Sequence, residues 1–223
     1  RRLLLSANPT YPRVHLTEQN FVNPAEPPMF CMLLRKYCEG GIIESVRQDG
    51  LERILHLDVR HRDELGDLTI LRIVAEIMGR HSNIILIDPV SGQILDGIRH
   101  VTPAVSAYRI VMPGSLYKAP PEQHKADPLH TDQAQFEAEW NRSDPDGEQK
   151  AETPVQRLVS RFSGLSPLTA REILHRAGWR GDEPDLARLY AAFKDWMDKQ
   201  RDYRLAPTIV VEDRTGKEYF SSL

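Results

Sequence analysis

The sequence predicts an α+β protein: a β-rich first half with one helix, a helical second part, and a closing β-hairpin. Three observations carry that reading. Between residues 1 and 118, short β-branched runs alternate apolar and polar residues and are separated by turn residues such as Asn8-Pro9, Asp49-Gly50 and Pro113-Gly114. Between residues 153 and 204 the apolar spacing changes to i, i+3, i+4, i+7, the period of a helix. Thr153-Pro154 and Ser166-Pro167 there carry a hydroxyl cap followed by a first-turn proline.

Taken in order, Leu3 to Ala7 and Val14 to Thr17 read as strands around the Asn8-Pro9 turn. Pro27-Pro28 opens a helix whose Phe30, Leu33, Leu34 and Tyr37 form one apolar face, and Glu39-Gly40-Gly41 ends it. Ile42 to Gln48 and Leu51 to Val59 form a hairpin across Asp49-Gly50. On a regular strand Glu52 and Arg53 point to opposite faces. Thr69 to Ala75 and Ile84 to Ile87 are the next two strands, and Gly79 between them supplies the positive φ that a tight connection needs. Ile94 to His100 and Tyr108 to Met112 complete the β region near Lys118.

Residues 119–152 read as an acidic, partly mobile linker, with only Gln133 to Trp140 suited to a short helix. The helical region follows, at 153–204. Its first helix buries Val155, Leu158, Val159 and Phe162. A second, from Ser166, buries Ala170, Ile173, Leu174 and Ala177, and Gly178 stops it. A third, Asp185 to Arg201, presents Leu186, Leu189, Tyr190, Phe193 and Met197. Thr208 to Val211 and Lys217 to Phe220 flank Asp213-Arg214-Thr215-Gly216 as the closing hairpin, at 205–223.

Composition narrows the function. No apolar run reaches membrane-spanning length and no secretory signal is visible. The chain opens without Met, inside a strand, and reads as a fragment of a longer protein. Cys31 and Cys38 share the first helix about 10 Å apart, too far to bridge, which fits a reducing cytoplasm. The net charge of -3 hides an uneven distribution: residues 119–152 carry three basic and nine acidic residues, so the remainder is net positive. Of the 29 basic residues 22 are Arg, the side chain suited to bidentate phosphate contacts and base stacking. There is no Walker loop, dinucleotide glycine fingerprint, metal-ligand cluster or nucleophile-base pattern. The expectation is a binding protein without cofactor or metal, and not an enzyme.

The candidate site is Glu76-Ile77-Met78-Gly79-Arg80-His81-Ser82-Asn83, which crowds a planar cation, an imidazole, a hydroxyl and an amide at one tip. On spacing alone a solvated turn is the simpler reading. The words themselves resemble the signature of the NFACT family, the RqcH/NEMF-type proteins of ribosome quality control, whose bacterial members also carry the label FbpA or fibronectin-binding protein. Leu5-Ser6-Ala7-Asn8-Pro9, Pro24 to Lys36, Glu39-Gly40-Gly41, Gly50-Leu51-Glu52-Arg53-Ile54 and Pro113-Gly114 agree in order and spacing.

That resemblance implies an N-terminal fragment: an NFACT-N domain, similar to the first module of Fpg-type DNA glycosylases, then a helix-hairpin-helix domain. It implies a cytoplasmic, ribosome-associated factor that binds large subunits carrying stalled peptidyl-tRNA. Such factors recruit charged tRNA, tRNA-Ala in bacterial members, for mRNA-independent tailing, and the ribosome itself makes the peptide bonds. By resemblance the tRNA-side residues are Glu52, Arg53, Glu76, Ile77, Met78, Gly79 and Arg80, with His81, Ser82 and Asn83 as additional RNA contacts. The family usually has Asp where this chain has Glu52. Phe162 to Ile173 resembles a helix-hairpin-helix, in which Ser163, Gly164, Leu165 and Ser166 face a phosphate, flanked by Arg161 and Arg171. Its spacing fits an ordinary helical corner equally well. Two alternatives stand beside the RNA reading: a surface adhesin that binds fibronectin, and a DNA repair glycosylase suggested by fold analogy alone.

Overall fold

The computed structural model describes residues 1–63, 65–143 and 152–222. They form two compact units, Arg1–Pro121 and Glu122–Leu223.

In the first unit, β1 (Arg2–Ser6) and β2 (Arg13–Thr17) pair antiparallel. Their turn is held by the Asn8 side chain, which accepts from the Thr10 amide at 2.9 Å. Helix α1 (Met29–Cys38) starts after Pro28 and ends where Gly40 takes φ +74°. An antiparallel meander follows: β3 (Ile42–Gln48), β4 (Ile54–Arg62), β5 (Leu68–Glu76), β6 (Asn83–Ile87) and β7 (Ile94–Gly97).

Strand β6 lies inside the sheet, and its apolar residues are buried on both faces, which is why Ile84-Ile85-Leu86-Ile87 is continuous rather than alternating. Ile84 and Leu86 pack with Ala7, Phe30 and Leu71, and with the Leu33, Leu34 and Tyr37 side chains of α1. Ile85 and Ile87 pack with Ile54, Val74, Ile94 and Val111 on the opposite face. Each such side chain stabilises the fold by about 1.5–3 kcal/mol through removal from water. Farther along this second face Asp58 gathers Arg72 (2.6 Å), Arg47 (3.1 Å) and Ser45 (3.0 Å), tying β3, β4 and β5. The Arg72 hydrogen bond, outweighing partial burial, holds the Asp58 carboxyl below its usual range.

Three expectations for this unit change. β4 begins at Ile54, not Leu51: the Glu52 amide donates back to the Asp49 carbonyl (2.9 Å) and Gln48 Nε2 donates to the Glu52 carbonyl (2.8 Å). Residues 49–53 are therefore a turn, and the strand parity expected for Glu52 and Arg53 does not apply. Strand β7 stops at Gly97 rather than His100. Tyr108 to Met112 is not a strand; within it Val111 alone bridges, to Val101, and Arg109 donates to the Glu76 carboxylate.

The second unit contains α2 (Gln133–Asn141), α3 (Pro154–Arg161), α4 (Pro167–Arg176), α5 (Leu186–Arg201) and the hairpin β8 (Thr208–Val211) and β9 (Glu218–Ser221). Its core is aromatic: Phe136, Phe162 and Phe193 are fully buried with ring centroids 4.8–5.2 Å apart. Phe136 belongs to α2, whose Asp132 and Gln135 form a capping box. The linker expected over 119–152 is thus corrected for residues 122–143, which fold as part of this unit. The short helix expected at Gln133 to Trp140 is present, and its two buried aromatics, Phe136 and Trp140, anchor the segment in the core. Residues 144–151 lie outside the described residues. Helices α3 and α4 are capped by Thr153 and Ser166 through hydrogen bonds from Gln156 and Thr169 amides, as their hydroxyl-proline pairs predict.

Candidate functional site

Two chain connections meet at the end of the sheet where β4 begins and β5 stops. The register pairs Ile54 with Glu76, so the turn 49–53 and the segment 77–82 emerge side by side. The Ile77 amide donates to the Arg53 carbonyl at 2.8 Å, extending the ladder by one hydrogen bond. This bond fixes the turn bearing Glu52 and Arg53 against the signature segment.

Gly79, at φ +56°, then starts a single turn of 3-10 helix, Gly79–His81. The turn is closed from within. Ser82 Oγ accepts from the Met78 amide (2.8 Å), and the His81 amide donates to the Met78 carbonyl (3.0 Å). Asn83 bridges two chain segments: its Nδ2 donates to the Arg99 carbonyl (2.9 Å), while its Oδ1 accepts from the Ile84 (3.0 Å) and Arg99 (3.1 Å) amides. Arg99 Nη1 donates to the Arg80 carbonyl at 3.1 Å. Arg80 and His81 remain exposed, with Arg80 Nε donating to His81 Nε2 at 2.9 Å.

Beneath this turn lies a buried charge. The Glu76 carboxylate accepts both Arg109 nitrogens, at 2.8 and 2.6 Å, and the Tyr117 hydroxyl at 3.0 Å. The Glu76 side chain is 1% exposed and that of Arg109 11%. Such a bidentate pair satisfies the carboxylate that burial would otherwise leave costly. Burial alone would lower the Arg109 pKa, but hydrogen bonding and the charge of Glu76 together raise it. Burial, with the Glu76 charge adding to it, pushes the Tyr117 phenol far above its ordinary value, so it stays a donor. Arg109 also donates to the Lys118 carbonyl at 3.1 Å, so residues after the sheet brace the signature. Met78 packs on the apolar cluster around Ile54 and Val74.

The sequence-derived residues thus divide into two groups. Glu52, Arg53, Arg80 and His81 are exposed and neighbouring, with Ile77, Met78 and Gly79 half-buried between them. Glu76, Ser82 and Asn83 are buried, so they shape the tip from within and do not present their side chains at its surface. Arg109, Tyr117 and Arg99 escaped the sequence reading. Arg109 lies 33 residues from Glu76 in a segment misread as a strand, and no local periodicity links the two.

In the second unit, Ser163 to Ser166 join α3 to α4, with Gly164 at φ +71° and Leu165 buried. Ser166 Oγ is engaged with the Thr169 amide at 3.1 Å. Arg171 is exposed, but Arg161 is 5% exposed and donates to the Arg142 carbonyl (2.9 Å) and Glu152 (3.2 Å). Of the two arginines that flank the hairpin in sequence, Arg171 is thus at the surface and Arg161 is an internal strut.

Among the described residues no group of three or more His, Cys, Asp or Glu side chains is placed to hold a metal ion, and no helix is long and apolar enough to cross a membrane. What the sheet end offers is two planar cations, an imidazole and a carboxylate on a tightly hydrogen-bonded frame, suited to gripping phosphate and stacking on bases.

Comparison with known proteins agrees with this architecture. The family described as NFACT N-terminal and middle domains matches residues 1–223. The chain is 44% identical over 224 residues to "Rqc2 homolog RqcH" of Bacillus subtilis, covering 99% of this chain and 36% of that protein. It is 28% identical over 225 residues to "Archaeal Rqc2 homolog aRqcH" of Methanocaldococcus jannaschii, covering 31% of it. The chain therefore spans about a third of the length of the curated relatives it matches. Among solved structures, the fibrinogen binding protein from Staphylococcus aureus superposes with TM-score 0.79 at 36% identity, covering 98% of this chain and 72% of that one. The N-terminal part of the fibronectin/fibrinogen-binding protein from Streptococcus suis gives TM-score 0.77 at 34% identity, with 99% and 73% covered. The chain belongs to the NFACT family, over its N-terminal and middle domains.

Proposed function

We propose that this chain is the tRNA-gripping part of a ribosome quality-control factor. In this reading the whole protein acts in the cytoplasm on large ribosomal subunits that carry a stalled nascent chain. It recruits charged tRNA, tRNA-Ala in the bacterial manner, for mRNA-independent tailing that marks the chain for degradation. Peptide transfer belongs to the ribosome, and this chain positions. The observation that carries the reading is the pair of exposed arginines, Arg53 and Arg80, on connections locked together by the Ile77–Arg53 backbone hydrogen bond.

In this account Arg53 and Arg80 take phosphate or stack on an anticodon-loop base. Glu52 accepts from a ribose hydroxyl or a base edge, or orients Arg53, reaching about one methylene farther than the family's usual Asp. His81 adds a further polar contact. Glu76 acts indirectly, by holding the tip through Arg109 and Tyr117. The names of the RqcH relatives support ribosome quality control. The names of the solved structures make fibronectin or fibrinogen the alternative partner. The Ser163 to Ser166 hairpin would add a phosphate contact through its amides, as a helix-hairpin-helix does.

The test is equilibrium binding of unmodified tRNA by the intact protein, its Arg53→Ala and Arg80→Ala variants, and fibronectin as a competing ligand. The expected result is a tRNA Kd raised about tenfold by each substitution, close to 1.4 kcal/mol, with fibronectin not displacing tRNA. Unchanged tRNA affinity in folded variants would remove both arginines from the interface. Fibronectin binding stronger than tRNA binding would favour the adhesin.

A further inference from the structure

The other end of the same sheet carries a concave surface. The tip between β4 and β5 is folded by Asp63, whose Oδ1 accepts from the Leu65 and Asp67 amides, both at 2.9 Å. Across from it the end of α1 presses onto β4. Gly41 makes this approach feasible: a Cβ there would lie 2.8 Å from Val59 Cγ1 and 3.0 Å from the Arg60 carbonyl. Two adjoining clefts of about 460 and 330 Å³ open between these elements, and both are lined by Lys36, Tyr37, His61 and Arg62.

The chemistry of those four residues is selective. Tyr37 and His61 are half-buried and meet edge to face, with ring centroids 6.4 Å apart at 82°. Lys36 Nζ lies 5.0 Å from the Tyr37 centroid. Arg62 is exposed, and its guanidinium is pinned at one corner by donation from Nη1 to the Gly66 carbonyl at 2.7 Å. Arg60, on the same strand, pairs with Glu44 at 2.5 Å. An acidic peptide would use only the cations. A nucleotide uses cations and rings together, because base–aromatic stacking and phosphate pairing act on one ligand.

We propose that this cleft is a second RNA-binding site, which takes one nucleotide with its phosphate against Arg62 and Lys36 and its base against Tyr37 and His61. The inference deepens the RNA reading above and rests on it. Eight residue steps along β4 separate the two ends, roughly 26 Å at 3.3 Å per residue. A folded RNA spans that distance, so the strand acts as a rigid spacer between two grips.

The experiment uses the intact protein and a fluorescein-labelled 12-nucleotide single-stranded RNA containing 4-thiouridine. Arg62→Ser, at an exposed position, leaves the apolar core in place, and Tyr37→Leu is its companion. Each is expected to raise the Kd about tenfold, and photo-crosslinks in the wild type are expected on Tyr37 or His61. Arg53→Ala is expected to retain those crosslinks. Wild type that binds the RNA while Arg62→Ser binds equally well, without crosslinks in the cleft, overturns the cleft assignment alone. Wild type that binds tRNA but not this RNA overturns the cleft inference alone, whereas wild type that binds neither overturns the reading beneath it as well. Displacement by polyglutamate at lower concentration than by unlabelled RNA overturns the choice of a nucleotide.

Discussion

Replacing Arg109 by Met tests whether the signature is held from below. The substitution keeps an apolar stem of similar length and removes the cation that faces Glu76. The Glu76 side chain would then sit 1% exposed with the Tyr117 hydroxyl, 3.0 Å away, as its remaining side-chain donor. Breaking a buried pair from one side costs about 3–5 kcal/mol, because the surviving charge stays desolvated. Two hydrogen bonds of 2.8 and 2.6 Å are lost, and both go to an ionised group, so the upper part of that range applies. Urea unfolding followed by circular dichroism at β-sheet wavelengths reads the difference. The three tryptophans all lie in the second unit, and their fluorescence would follow that unit instead. Converting Glu76 to Gln in the same molecule removes the stranded charge, and the double variant should recover about half of the loss. A cost below about 1 kcal/mol for Arg109→Met would refute the buried-anchor account. So would a double variant no more stable than the single one.

Tyr117 gives a pH test. Its folded pKa lies above its ordinary value of 10.0, so its contribution is complete below pH 10 and is lost as pH rises toward the folded value. Wild type should lose about 1.4 kcal/mol more per pH unit above 10 than Tyr117→Phe, and parallel stability curves would contradict this. Gly79→Ala meets no atom within 4 Å but must adopt φ +56°, so it should cost about 1–2 kcal/mol through backbone strain alone. Thermal unfolding checks that value, and a neutral substitution would show that the turn relaxes.

The strands and helices were legible because their periodicities and caps are local. Thr153-Pro154 and Ser166-Pro167 set helix starts by hydrogen bonds within four residues, and Asn8-Pro9 set its turn in the same way. The tip of the signature was legible too, since Gly79 must supply the positive φ between two strands. The division of labour inside the signature was not. Glu76, Ser82 and Asn83 are as polar as Arg80 and His81, and only the register that pairs Glu76 with Asn83 on the buried face turns them inward. Arg109 and Tyr117 were hidden for a related reason, because a long-range ion pair leaves no periodic trace. The acidic segment misled because charge dominates its composition, whereas Phe136 and Trp140 dominate its energetics.

The central claim is that a stiff sheet end presents Arg53 and Arg80 to the phosphates of a folded RNA. The salt dependence of tRNA affinity, measured for wild type and for the Arg53→Ala/Arg80→Ala double variant, tests it most directly. Each lost phosphate contact should flatten the slope of log K against log salt by about 0.7–0.9, so the double variant should be shallower by about 1.5. Identical slopes in two folded proteins would contradict the claim.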